Sequence, residues 1–283
     1  MIKFCLAVPV LNQKESTLET LRSYYSMATY PEDIPLILID NGSTPPVASW
    51  LFDFSKEFPL VKVRIIHNQE NVGVTKSLNQ AWELTKEGCC KPDFIFYSHS
   101  DVLIQELGWD VKVKTALEEI KPIGVMGFGG AKGIGTPDLY KEPYVISQLI
   151  RTGFFSNMQD AENHGRRMTN DVEPCAVLDG FTLIVNTKLL EEIDGFDEHY
   201  KFHMYDEDLC VQAIQHGYFN FVLNIACKHN GGRTSTSADY DTWLRKQNIN
   251  GDLEIHQEAH TYFYEKFRGF IPLMFYGGRY VRI

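Results

Sequence analysis

The residue in this chain best placed to do chemistry is a carboxylate that follows directly on a short apolar strand. Phe94 to Tyr97 has the length and aromatic content of a buried strand, and the run stops at His99-Ser-Asp101. Open α/β sheets bind their ligands outside the carboxyl ends of the strands, so Asp101 stands where a ligand would sit. An aspartate there can hold a hard divalent cation, and the cation can neutralise a diphosphate. The plainer use of such a residue is to cap the next turn. What favours the first use is that other parts of the chain supply partners. His229 follows an apolar run, Phe219 to Ala226, that reads as a strand, and such a histidine can complete a metal site. Three consecutive acids, Asp206, Glu207 and Asp208, stand at the start of a helical pattern, where carboxylates also favour the helix dipole.

The elements that would position these residues alternate in type. Ile2 to Val10 reads as an apolar strand, and Ser16 as the cap of a helix with Leu18, Leu21 and Tyr25 on one face. Leu36 to Ile39 is a second strand, ending at Asp40-Asn-Gly-Ser-Thr44, and Val61 to Ile66 a third, followed by Asn71-Val-Gly73. A helix from about Thr75 to Lys86 leads back to the strand before Asp101. Strands separated by helices imply a parallel sheet with its ligand loops on one edge. Gly124 to Gly135 is glycine-rich, but its spacing is not that of a dinucleotide cradle, and Pro137 interrupts the helix that should follow. A mobile loop over the site, or a turn-rich connection, is the expectation there. Beyond it come strand patterns across Cys175 to Val185, a helix from about Glu207 to His216 closed by Gly217, and an aromatic-rich helical tail.

Composition narrows the class. With 283 residues, 44% of them hydrophobic and 13% aromatic, the chain can bury a large core. Its net charge of -10 argues against broad, non-specific nucleic-acid binding. The opening residues read as a strand rather than a signal peptide, and no apolar run approaches the roughly 20 residues of a membrane span. The six cysteines show neither a Cys-x-x-Cys pair nor zinc-ligand spacing, which suits reduced, mostly buried thiols in a cytoplasmic protein.

Taken in order, these motifs resemble family 2 glycosyltransferases, whose nucleotide-sugar-binding fold is called GT-A. The resemblance rests on Ala7 to Asn12, Ile39 to Thr44, Asn71 to Gly73 with Asn79, His99-Ser-Asp101, Leu178 to Phe181, Gly195 to Glu198, Tyr205 to Leu209 and His229. It covers residues 4 to 232 and leaves out the tail beyond about Thr236. The fold it implies is a Rossmann-like, mostly parallel α/β sheet flanked by helices. Residues 1–104 would form the nucleotide-sugar-binding half, 105–235 the acceptor and catalytic half, and 236–283 a helical C-terminal extension.

By the same resemblance, Asp40 would accept from the N3–H of uracil, which favours a UDP-sugar donor, while UDP and dTDP present the same edge. Pro9, Asn12, Asn71, Gly73, Lys76 and Ser100 would line the nucleotide, and Asp179 and Gly180 would approach donor sugar and acceptor. Asp101 and His229 would hold Mn²⁺ or Mg²⁺ across the two phosphates. The family's usual Asp-x-Asp has His99 as its first member here, either a third ligand or a contact to ribose or phosphate. Asp206 matches the general base of an inverting single displacement, with Glu207 and Asp208 as the alternatives. The acceptor is a hydroxyl on a glycan, a lipid-linked sugar, a protein or a modified nucleobase. A nucleotidyltransferase acting on a sugar phosphate is the competing activity. It would need a glycine-rich basic loop after the first strand, and Val10 to Glu15 has no glycine.

Overall fold

Phe4–Val10 (β1) alternates its side chains between two apolar layers, with Leu6 and Val8 facing one and Cys5 and Ala7 the other. A strand buried on both faces belongs in the middle of a sheet covered by helices on both sides. The computed structural model of the chain describes residues 2–88, 90–135, 151–231 and 237–282. After β1 come α1 (Lys14–Met27), β2 (Leu36–Asn41), α2 (Leu51–Glu57), β3 (Val63–Asn68), α3 (Val74–Lys86) and β4 (Phe94–Ser98). The middle of the chain holds β5 (Val102–Ile104), α4 (Trp109–Glu119), β6 (Ile123–Gly127), β7 (Gly129–Ile134), β8 (Arg151–Ser156), α5 (Ala161–His164) and β9 (Arg166–Arg167). Next are β10 (Val172–Cys175), β11 (Val177–Leu178), β12 (Thr182–Asn186), α6 (Thr187–Ile193) and α7 (Tyr205–Gln215). The last elements are β13 (Phe219–Leu223), β14 (Cys227–His229), α8 (Ala238–Lys246), α9 (Asp252–Lys266), β15 (Leu273–Tyr276) and β16 (Arg279–Arg282).

The main sheet has the order β10-β13-β6-β12-β4-β1-β2-β3. β1 pairs in parallel with β2 and β4, β2 with β3, and β6 with β13. β12 is antiparallel to both β4 and β6, and β10 to β13, so two strands run against the other six. The fold is therefore a mixed, mostly parallel α/β sheet. One face packs on α1 and α4 through Leu21, Tyr24, Trp109 and Val113, where Tyr24, Phe96 and Trp109 meet edge to face. The other packs on α3, α6 and α7 through Leu78, Ala81, Leu189 and Leu209. No helix among the described residues is long and apolar enough to cross a membrane.

The reversed direction of β12 matters for the site. Its Thr182 lies opposite Ser98, so the turn that precedes it, Asp179-Gly180, arrives at the same edge where β4 ends. A second sheet, β16-β15-β7-β8-β9 with β11 against β7, lies beside this edge, and a two-stranded ribbon of β5 and β14 closes it.

Four sequence expectations need correction. α1 starts at Lys14, after Gln13 takes a left-handed conformation (φ 59) at its N-cap. Ser16 is already inside the helix, and its hydroxyl donates to the Ser100 carbonyl at 3.3 Å rather than capping. Gly124 to Gly135 is not a mobile or turn-rich connection but the buried pair β6 and β7. Its glycines serve close strand approach: a Cβ at Gly127 would stand 2.5 Å from the Thr182 carbonyl oxygen. The strand expected over Phe219 to Ala226 ends at Leu223 as β13, and His229 belongs to a separate strand, β14. The C-terminal extension has the two expected helices but also a hairpin, β15 with β16, which adds to the second sheet through β7. Pro137, Cys89 and the boundary expected at residue 235 lie outside the described residues.

Candidate functional site

Parallel strands end together, so β1, β2 and β4 deliver Asn12, Asp40 and His99-Ser-Asp101 to one edge. His229 reaches that edge through register: β14 runs antiparallel to β5 with His229 opposite Val102, and Asn230 N donates to the Asp101 carbonyl at 3.0 Å. The side chains converge. His229 Nε2 is 3.4 Å from His99 Nδ1 and 3.4 Å from Asp101 Oδ1, and one ligand atom from each residue falls within 4.8 Å of the others. Two imidazole nitrogens and a carboxylate oxygen aimed at one point form a donor set for a divalent cation. The rings are also held from behind. His99 Nε2 faces the Tyr205 hydroxyl at 3.1 Å, and His229 stacks on Phe181 with centroids 5.0 Å apart. Such outer partners fix the aim of ligating histidines. Burial and the neighbouring His229 hold His99 below the usual imidazole range. For His229 burial acts in the same sense, but Asp101 outweighs it and the net direction is up.

Beside this triad lies a cluster of three carboxylates around one guanidinium. Arg151, the first residue of β8, donates from Nε to Glu207 Oε1 at 2.7 Å, from Nη1 to Asp179 Oδ2 at 2.7 Å and from Nη2 to Asp206 Oδ2 at 2.9 Å. Gly180 N adds a bond to Asp206 Oδ2 at 2.6 Å. Only glycine fits at Gly180, since a Cβ would stand 2.4 Å from the Tyr205 hydroxyl and 3.1 Å from Asp206 Oδ2. Burial, then the adjacent Glu207, push the Asp206 carboxyl well above its ordinary range, with Arg151 opposing. Asp179 goes the other way: burial raises it, but Arg151 prevails and holds it down. A carboxylate raised above its ordinary value is a stronger base than a free one.

Asp208, the third acid, faces away. Its Oδ1 lies 2.7 Å from Lys266 Nζ on α9, and its Oδ2 accepts from Gln212 at 2.6 Å. Lys266 also reaches Asp197 Oδ2 at 2.7 Å, so α9 pins both the Gly195–Glu198 turn and the start of α7.

The other sequence-predicted residues are placed as follows. Asp40 is 0% exposed and serves its own loop: Oδ1 accepts from Ser43 N at 2.8 Å, and Oδ2 from Val47 N at 2.9 Å with His67 Nδ1 at 3.0 Å. Burial would raise its carboxyl, but the Val47 and Ser43 N–H groups bring it below the ordinary value. This commitment removes the support that the residue type alone lends to a contact with uracil N3–H. Asn12 Oδ1 accepts from Thr44 N at 2.8 Å, and Asn71 Oδ1 accepts from Asn41 Nδ2 at 2.7 Å and Gly73 N at 2.9 Å. Pro9 lies in β1 opposite Ile39, and Ser100 offers its carbonyl to Thr20 Oγ1 at 3.0 Å. Lys76 is exposed on α3. Arg151 and Tyr205 are the site residues that sequence reasoning passed over. Tyr205 had a signal, its place directly before the acidic run; Arg151 had none.

A mostly parallel sheet with ligand loops at its carboxyl edge, a cation-type donor set and an acidic helix start beside it defines a protein of the GT-A class. The profile of the family described as Glycosyl transferase family 2 matches residues 5–166, and the chain belongs to this family of enzymes. No curated protein matches it significantly. Among solved structures it is similar to the mannosyltransferase PcManGT from Pyrobaculum calidifontis in complex with GDP-Man and Mn²⁺, at 15% identity and TM-score 0.56 over 93% of this chain and 69% of that one. GalNAc-T7 with UDP, GalNAc and Mn²⁺ matches at 12% identity and TM-score 0.59 over 95% of this chain and 52% of that one. S. aureus TarS matches at 16% identity and TM-score 0.53, over 95% of this chain and 44% of that one. The chain thus spans about half the length of the latter two. At these identities the likeness is one of fold.

Proposed function

We propose that the protein transfers a sugar from a nucleoside-diphosphate donor to an acceptor hydroxyl, with inversion at the anomeric carbon. The observation that carries this reading is the convergence of His99, Asp101 and His229 at the carboxyl edge of the sheet. These three would hold a divalent cation, Mn²⁺ or Mg²⁺, whose chemistry there is to neutralise charge on the departing diphosphate. Asp206 takes the proton of the acceptor hydroxyl as the new glycosidic bond forms, and the bond from the anomeric carbon to the diphosphate oxygen breaks. Arg151 and Gly180 N fix the Asp206 carboxylate through Oδ2. Asp179, held by Arg151, would approach donor sugar and acceptor from the turn before β12. Similar structures support a nucleotide donor with Mn²⁺, one holding GDP-Man and another UDP. With Asp40 turned to its own loop, we propose the donor as a nucleoside diphosphate sugar without assigning the base. The competing nucleotidyltransferase reading falls with family membership.

Calorimetric titration of the protein with UDP and GDP, each with Mn²⁺ and then with EDTA, tests the proposal. Binding of at least one nucleotide, strengthened by Mn²⁺, is expected. Metal-independent binding of equal strength would overturn the role given to His99, Asp101 and His229.

A further inference from the structure

The C-terminal extension lies against the loops that the proposed donor would contact. α8 has Ser237 as its N-cap, whose hydroxyl accepts from Tyr240 N, and it bonds to the loops that follow β1 and β3. Asp239 Oδ2 accepts from Asn12 Nδ2 at 2.7 Å. Trp243 Nε1 donates to the Asn71 carbonyl at 3.1 Å, and a Cβ built on Gly73 would stand 3.7 Å from the Trp243 ring. Asn12, Asn71 and Gly73 are three of the residues that the resemblance to family 2 glycosyltransferases would set around the nucleotide. Asn12 is held in a left-handed conformation (φ 55) and Asn71 bridges to Asn41, so the loops after β1, β2 and β3 form one hydrogen-bonded assembly with α8 as its outer member.

α8 is built into the body. Tyr240, Trp243 and Leu244 are no more than 5% exposed and cluster with Ile249, Ile255 and Phe202. Tyr240 Oη and His203 Nε2 both meet Asp252 Oδ1, at 2.6 and 2.8 Å, which ties α8 to α9 and to the loop before α7. Segments that open to admit a ligand come from the least stable parts of a fold, with few buried apolar contacts. α8 has the opposite character.

We propose that α8 is a fixed wall of the donor-nucleotide site, with Trp243 and Asp239 as positioning residues that hold Asn12 and the Asn71–Gly73 turn in the shape that receives the nucleoside. The ligand class is a nucleoside diphosphate. The inference rests on the reading under Proposed function and adds to it a segment that the matched family profile does not reach, since that match ends at residue 166.

The test uses the full chain, UDP and GDP as probes, and Mn²⁺ alone as a control for an intact metal site. Trp243→Phe keeps a ring and removes the N–H, and Asp239→Ala removes the acceptor for Asn12 Nδ2. Each is expected to weaken the tighter-binding nucleotide by about tenfold, as loss of one well-aligned hydrogen bond does, while Mn²⁺ binding alone stays at wild-type strength. Nucleotide should also change the tryptophan fluorescence of the wild type, and Trp243→Phe should lose most of that change. Unchanged nucleotide affinity in both variants would overturn the wall. Tighter binding in either would overturn it in favour of a helix that obstructs the site. Failure of the wild type to bind either nucleotide would sink the donor reading itself, and the wall with it.

Discussion

Replacing Arg151 by glutamine should cost the fold about 3–5 kcal/mol at pH 7.5, and much of that loss should return at pH 5. The magnitude comes from the geometry. One guanidinium meets Glu207, Asp179 and Asp206 at 2.7 to 2.9 Å, and the Asp206 and Glu207 side chains are only 8% and 4% exposed. Removing the cation leaves buried carboxylates uncompensated, the costly way to break a buried ion pair. The sign with pH follows from two residues. Asp206 already has a folded pKa above its ordinary value, owing to burial and Glu207, and loss of Arg151 raises it further. A carboxyl raised on folding favours the native state below its unfolded value of about 4, and that support is lost as pH climbs through the folded pKa. Asp179 is lowered in the native protein, chiefly by Arg151 acting against burial, so it stabilises the wild type above about pH 4 and ceases to do so in the variant. Both effects widen the gap between the two proteins as pH rises from 4 towards 7. Urea unfolding of both, followed by circular dichroism at pH 5 and 7.5, measures it. A penalty under about 1 kcal/mol, or one equal at the two pH values, would refute the view that Arg151 is the charge compensator of this cluster.

Other substitutions separate the roles of neighbouring groups. Asp206→Asn should lower turnover by the ~10²–10⁴-fold expected of a general base, with nucleotide binding nearly unchanged and the wild-type product inverted by NMR; near-normal turnover would remove Asp206 from that role. Asp101→Ala should abolish the gain in nucleotide affinity from Mn²⁺, and His99→Ala should reduce it. If only Asp101 and His229 matter in that titration, His99 is a contact to the donor and not a ligand. Gly180→Ala should reduce activity sharply while the protein remains folded, because a methyl group 2.4 Å from the Tyr205 hydroxyl must displace it from His99; full activity would show that the turn has room to yield.

The parallel half of the sheet was legible because its strands are apolar runs separated by helical periodicity and ended by polar loops. Asp101, His229 and Asp206 were legible because each follows a strand or opens a helix, positions where residue type and local pattern coincide. Asp40 satisfied the same rule, yet its carboxylate turned inward: type cannot say whether an aspartate at a strand end faces a ligand or its own loop. Gly124 to Gly135 hid two strands, since glycine has no side chain with which to show alternation. The Gly277-Gly278 pair was a hairpin signal between β15 and β16 that the aromatic tail obscured. Arg151 could not be found from local pattern at all. Its partners lie 28, 55 and 56 positions away, and only the tertiary fold brings them together.

Lys266 gives the molecule a schedule as well as a shape. Synthesis proceeds from the N-terminus, and the strands carrying Asp101 exist long before α9 does. The opening turn of α7 holds Asp208, 2% exposed, whose compensating cation is Lys266, made 58 residues later. Until that lysine has left the ribosome, Asp208 lacks its cation, and the turn at Asp197 has its contacts to Asn79 but not its tie to α9. The order of translation therefore makes the ion pair that ties the start of α7 to α9 one of the last contacts to form.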